Sequence, residues 1–271
     1  MEFKEIVKYY ELIGSGKNVE AEEFRQSFIP DKLIKFVWLD GTTNDNKKFN
    51  TLLNQQIWIS STKNFNDPFE FKGLFLNKEE LRNNGYSEDA ISMYEKLFTL
   101  DDFGVACLSS NNVNYLPMWA YYTNNYQGFC IEYQIINKAC IHEVLYEPKR
   151  IPIASLIIQL KQSLSEARKI GHFGSTESYK LAKIIMQNLY IKSNTWEHEK
   201  EFRIVQPINS SLGENYKLNE LGLKINRIIA GIKCTEDNIQ KLNKISNQIG
   251  CGNIYISKLS ETDYSLIEER L

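Results

Sequence analysis

Long apolar runs are missing from this 271-residue chain. None approaches the ~20 residues needed to span a bilayer, and mean hydropathy is -0.39. The N-terminal stretch MEFKEIVKYYELIGSGK mixes charged with apolar residues. A secretory leader needs an uninterrupted apolar segment there, so a cytoplasmic location is expected. No sign of charge dominates: 32 Lys and Arg face 34 Asp and Glu, for a net charge of -2. That excludes a generic nucleic-acid coat, though not a local basic groove. Glycine (14) and proline (6) are sparse, which excludes long disordered linkers. The five cysteines, Cys107, Cys130, Cys140, Cys234 and Cys251, are odd in number and contain no Cys-x-x-Cys pair. A zinc ribbon or a disulfide framework is therefore not supported, and reduced thiols are expected. Only His142, His172 and His198 could serve a histidine-dependent machine, and no His-Glu-x-x-His occurs. Dinucleotide and P-loop glycine signatures are also absent. Gly14-Ser15-Gly16-Lys17 lacks the upstream strand and the first glycine of a phosphate loop.

What remains reads as short strands scattered among helices. Residues 3–29 are polar and weakly amphipathic and predict one or two helices. The apolar run 33–39 predicts a buried strand, followed by a helix through Asn54 and a second strand at 57–60. Residues 61–73, rich in Asn, Asp and Pro, predict loop or turn. A helical region follows over 78–99, with Ser87 as an N-cap. Strands are expected at 103–109 and 128–135, with a helical turn at 116–122 that has Pro117 near its start. Two helices are expected over 152–192, interrupted at 171–176, and strands at 201–208 and 225–232. Thr235 is expected to cap a helix to about Gln248 that Gly250 stops, before a last strand at 253–259. The strands lack the even spacing of parallel βαβ winding. The expectation is an α+β fold: an N-terminal helical extension (1–30), then a single domain (31–271) of two small, mostly antiparallel sheets with peripheral helices.

Three clusters carry chemistry. In Asn66-Asp67-Pro68-Phe69-Glu70-Phe71, Asn and Asp before Pro favour a tight turn. Asp67 either caps backbone amides there or joins Glu70 in presenting carboxylates to a cleft. Pro117 through Tyr122, followed by Gly128-Phe129, is either core or a flat-sided pocket for a planar ring. In the segment from Trp196 to Val205, a strand beginning near Glu199 places Glu199, Glu201 and Arg203 on one face and Phe202 and Ile204 on the core face. The polar face is then solvated or lines a cleft.

Together these clusters resemble a widespread bacterial family known as a domain of unknown function. The matching residues are Lys35-Phe36, Ser60 through Glu70 with its Asn-Asp-Pro-Phe-Glu box, and Met118-Trp119 with Tyr122. They continue with Gly128-Phe129-Cys130-Ile131, Lys192, and the Trp-x-x-Glu-x-Glu-x-Arg of Trp196, Glu199, Glu201 and Arg203. The resemblance covers roughly residues 33–233 and supplies no activity.

A second resemblance does suggest one. Lys35, then Trp58-Ile59-Ser60-Ser61-Thr62, then Glu199-Lys200-Glu201 follow the order of the Arg-Ser-Glu type of ADP-ribosyltransferase. Lys35 stands where that family carries Arg or His and cannot reproduce the bidentate fork of Arg. The Ser-Ser-Thr departs from its strict pattern. The resemblance implies an ADP-ribosyltransferase-like fold and NAD as substrate. Glu201 would stabilise positive charge on the ribose, and Glu199 would orient or deprotonate the acceptor. Lys35, Ser60, Ser61, Asn66, Asp67, Trp119, Tyr122 and Arg203 would hold the dinucleotide. The acceptor is a protein, a nucleic acid or water. The setting implied is an intracellular toxin or anti-phage effector, with a neutralising or regulatory partner protein. Two alternatives stay open. One is a metal-dependent nuclease or phosphoesterase, with Mg²⁺ on Asp67, Glu70, Glu199 and Glu201 and with Lys200 or Lys192 near the phosphate. The other is a non-catalytic nucleotide-sensing module.

Overall fold

The structure is a computed structural model that describes residues 3–98, 100–169, 183 and 185–271. Two compact units divide the chain. The first comprises Met1–Ser60, Gly104–Glu143 and Glu199–Leu271; the second comprises Ser61–Phe103 and Val144–His198.

The first unit opens with helices α1 (Phe3–Gly14) and α2 (Asn18–Gln26). Tyr9, Ile13 and Ala21 bury a small apolar seam between them. The Gly14–Lys17 segment is simply the turn that joins them, with Gly16 at φ +78°. The Arg25 guanidinium is buried and donates to the carbonyls of Ala139 and Ile141, which fastens α2 by its last turn.

A ten-stranded sheet follows, in place of the small sheets expected. Its strands are β1 (Lys32–Val37), β2 (Gln56–Ser61), β4 (Phe103–Ser109), β5 (Phe129–Ile135), β6 (Ile141–Glu143), β10 (Glu201–Pro207), β11 (Gly213–Lys217), β12 (Leu223–Ala230), β13 (Ile254–Leu259) and β14 (Leu266–Arg270). The order is β11-β2-β4-β1-β5-β12-β13-β14, and β10 pairs with both β4 and β6. The pairs β1–β5, β5–β12, β2–β11, β6–β10 and β13–β14 are antiparallel, whereas β12–β13 is parallel. Most of these pairings are antiparallel, as expected, but the fold is mixed, because the two small sheets of the second unit are parallel pairs. Strand β5 is buried on both faces. Its Phe129, Ile131, Tyr133 and Ile135 enter the main core with Leu33, Ile57, Phe202, Ile204 and Ile228, while Cys130 enters a second core with Ile34, Trp119 and Ile229. A strand covered on both sides reads as a nearly continuous apolar run.

Helices α3 (Asn44–Leu53) and α6 (Leu116–Tyr122) interrupt the strands, and the helix Glu236–Gln248, here α8, precedes β13. Thr235 caps α8 through the Asn238 amide, and Gly250 beyond it has φ +69°.

The second unit holds α4 (Lys78–Asn83), α5 (Glu88–Leu97), α7 (Ala154–Lys169) and two parallel strand pairs. The pairs are β3 (Leu74–Phe75) with β8 (Ile151–Pro152), and β7 (Leu145–Glu147) with β9 (Ile191–Ser193). Ser87 caps α5 through the Ala90 amide. The core is Leu74, Leu81, Ile91, Ile153, Ile157 and Ile191 with their neighbours. Of the two helices expected over 152–192, the first is α7. The break at 171–176 and most of the second helix lie outside the described residues, and residues 191–192, the end of that expected helix, belong to strand β9 (Ile191–Ser193).

Candidate functional site

In the first unit, strand β4 has three partners: β2, β1 and β10. Its register with β1 is the single pair Ile34↔Ser109, while β1 pairs with β5 over all six of its residues. Beyond Ile34 the strands β1 and β4 part, and Lys35 stands at the parting. Its Nζ reaches the carbonyl oxygen of Cys107 at 3.5 Å. Burial lowers the pKa of this amine, and the charges of Cys107 and Glu201 oppose that shift. Strands that carry Lys35, Ser60 and Glu201 thus all border β4.

Glu201 and Arg203 point away from the core face of β10, which carries Phe202 and Ile204. Of the two expected alternatives, a solvated face is excluded: Glu201 is 3% exposed and Arg203 0%. Two parallel bonds join them, Arg203 Nε to Glu201 Oε1 at 2.7 Å and Nη2 to Oε2 at 3.2 Å. A guanidinium fork on a carboxylate two residues away offsets the cost of burying both charges.

The expected alternation fails at Glu199. The strand starts at Glu201, and Glu199 ends a 3₁₀ segment, Asn194–Glu199. Between them Lys200 has φ +47°, a left-handed conformation that reverses the side-chain sequence. The Glu199 carbonyl accepts from Ser109 Oγ at 2.6 Å and Asn111 Nδ2 at 3.0 Å, and Lys200 O accepts from the Ser110 amide at 3.0 Å. The Glu199 carboxylate accepts the Tyr122 hydroxyl. Sequence reading had Tyr122 and Glu199 in one site but missed the Ser109–Asn111 clamp, whose polar residues look like ordinary strand-end turn formers.

Trp119 is a core residue. Its indole is 0% exposed and donates to the Val113 carbonyl at 2.5 Å. It stacks on Tyr126 and meets Phe36 edge-on. Gly128, next to this core, is required sterically, because a Cβ there would collide with the Val37 carbonyl. Ser60 is half-buried and pairs through its backbone with Gly213.

A pocket of about 580 Å³ opens beside Lys35. The sheet residues Phe129, Ile131 and Tyr133 form its wall, α3 contributes Lys47 and Lys48, and β2 contributes Trp58. The size suits a small-molecule ligand. Sequence reading missed α3 as a contributor, because its lysines look like the solvated face of a short helix.

In the second unit, the Asn-Asp-Pro-Phe-Glu box is a turn. Glu70 N donates to Asp67 O at 3.0 Å, and Asp67 Oδ1 accepts from the Phe69 amide at 2.9 Å. Asn66 is exposed. Glu70 is buried with Lys192, 3.7 Å from its Nζ, and that ammonium lies over the Trp196 ring. Asn188 spans the same region: its Oδ1 accepts from Leu74 N at 2.9 Å and its Nδ2 donates to Phe71 O. Ser61 is fully buried and accepts from the Lys63 amide at 3.4 Å. Among the described residues, no three His, Cys, Asp or Glu side chains group as a metal site, and no helix is long and apolar enough to cross a membrane.

Residues 118–204 match the family described as protein of unknown function (DUF2971). The matched span holds Trp119, Tyr122, Gly128, Glu199, Glu201 and Arg203, while Lys35 and the Asn66–Glu70 box lie outside it. Comparison with curated proteins and with solved structures returns no match.

Proposed function

We propose that the protein cleaves the nicotinamide–ribose bond of NAD, as an ADP-ribosyltransferase or as an NAD glycohydrolase. One observation carries the reading: the strands bearing Lys35, Ser60 and Glu201 border a single strand, β4, and the Glu201 charge acts on the Lys35 amine. Those are the three positions that the sequence resemblance singles out.

In this reading Glu201 meets the ribose. As the C–N bond breaks, its electron pair returns to the pyridinium nitrogen and neutral nicotinamide leaves. Positive charge develops on the sugar, and the fixed Glu201 carboxylate offsets it. Water or an acceptor nucleophile then bonds to the sugar carbon and loses a proton to Glu199, whose carboxylate Tyr122 holds. Lys35 attracts the diphosphate. Transfer to a protein or nucleic acid, or depletion of NAD by hydrolysis, suits an intracellular toxin or anti-phage effector under the control of a partner protein.

The test is nicotinamide release from NAD, together with label transfer from NAD to cell lysate. Glu201→Gln, compared at matched folded fraction, is expected to lose about 10²–10³ in rate. Wild-type protein that neither consumes NAD nor labels an acceptor would sink the reading.

A further inference from the structure

We propose that the pocket beside α3 is a binding site for a nucleoside phosphate, with the phosphate held by Lys35 and Lys47 and the ring laid against Trp58 and the apolar sheet wall. The inference rests on the NAD reading for its choice of a nucleotide, but the pocket's chemistry stands on its own.

The lining divides into two parts. Phe129, Ile131 and Tyr133 from β5 and Ile57 from β2 make an apolar wall. Trp58 on β2 also lines the pocket and is 40% exposed. An indole left half-open beside an apolar recess is a ready stacking surface for a heterocycle. The polar part is cationic, with three lysines to one carboxylate, Asp40. Lys48 is committed to Asp45 at 2.9 Å, and Asp40 accepts from the Thr42 amide at 2.9 Å. Lys35 and Lys47 have no carboxylate within ion-pair distance among the described residues. Lys35 meets only the Cys107 carbonyl at 3.5 Å, a weak contact for an ammonium with three donors. An anion that reaches Lys35 and Lys47 meets two ammonium groups with no carboxylate in contact, and a volume of about 580 Å³ holds a mononucleotide.

Isothermal titration with AMP and with nicotinamide mononucleotide, the two halves of NAD, tests this directly. Saturable submillimolar binding of either is expected. Adenosine and inorganic phosphate should each bind at least ~10-fold more weakly, because each offers one half of the recognition. Lys35→Met, which keeps the stem and removes the charge, and Trp58→Ala should each weaken binding about 10-fold, as should Lys47→Ala on the exposed side of α3. Circular dichroism confirms that each variant is folded. Binding of neither mononucleotide, equal binding of adenosine and AMP, or full binding by a folded Lys35→Met, Trp58→Ala double variant would overturn the proposal. Nicotinamide release is measured separately, so saturable binding without turnover sinks only the NAD chemistry, and turnover without mononucleotide binding sinks only the pocket.

Discussion

Glu201 is charged, buried and forked to an arginine two residues along its own strand, which gives its substitution two separate consequences. Loss of an exposed cleft residue would change stability little. Burial to 3% exposure removes that expectation. Glu201→Gln takes one charge out of the buried fork on the Arg203 guanidinium, and a loss of about 2–4 kcal/mol in urea-unfolding free energy is expected. An unchanged midpoint would show that the pair contributes nothing net. Activity must therefore be compared per folded molecule. Gly128 makes a purely steric prediction. A methyl group there runs into the Val37 carbonyl, which is backbone and cannot rotate away. Gly128→Ala should cost at least ~1–3 kcal/mol, read as a lowered Tm. A Tm within error of wild type would show that the strand can shift.

At the scale of the element, the decisive feature is Lys200. The sequence Glu-His-Glu-Lys-Glu-Phe-Arg invites an unbroken alternating strand, and only a residue at φ +47° ends that reading. Lysine gives no warning, because left-handed backbone is signalled in sequence by Gly, Asn or Asp. The position predicts an inverted preference: Lys200→Gly should be neutral or stabilising by up to ~1 kcal/mol, whereas β-branched Lys200→Val should cost ~1–2 kcal/mol in urea unfolding. The opposite ranking would refute the conformation. Elsewhere local signals were sufficient. Leu33 to Val37 announced β1 by apolarity, Ser87 and Thr235 announced their helices by capping, and Phe202 and Ile204 announced the core face of β10. The elements missed are those with weak local signals. Strand β11, Gly-Glu-Asn-Tyr-Lys, and strand β14, Leu-Ile-Glu-Glu-Arg, occupy the two ends of the sheet order, where one side of the backbone stays unpaired and polar residues are tolerated. The pocket was illegible for a different reason: it needs α3, β2 and β5 together, and no periodicity reports which helix covers which stretch of sheet.

At the scale of the whole molecule, charge is nearly balanced, so individual networks rather than net repulsion set the response to acid. One network joins side chains on four strands of the large sheet. Glu132 on β5 accepts from Arg227 on β12 at 2.8 Å and pairs with Lys32 on β1 at 3.2 Å, while Arg227 also reaches Glu268 on β14. Burial alone would raise the Glu132 pKa, but the bonds from Arg227, Asn226 and Lys32 outweigh it and hold it below the usual glutamate value. A carboxyl with a lowered folded pKa stabilises above the unfolded value of ~4.3 and loses that contribution as pH falls through the folded value. Glu132→Gln should thus cost about 1.5–3 kcal/mol at pH 7, with the difference from wild type vanishing towards pH 2–3 in pH-dependent thermal melts. A difference constant with pH would place the effect in packing instead. The discontinuity of the first unit has a further consequence, for biosynthesis. Every stretch of the second unit has been translated once residue 198 is joined, while β1 and β5, made early, must wait for β12 at Leu223–Ala230 to cover the far edge of β5. On the ribosome the early strands therefore emerge with an open, apolar edge, and Glu201, Arg203 and the rest of the large sheet arrive only after the whole of the second unit. A nascent chain that stops short of β12 exposes that edge, so any activity seated on the large sheet waits on strands made after the second unit.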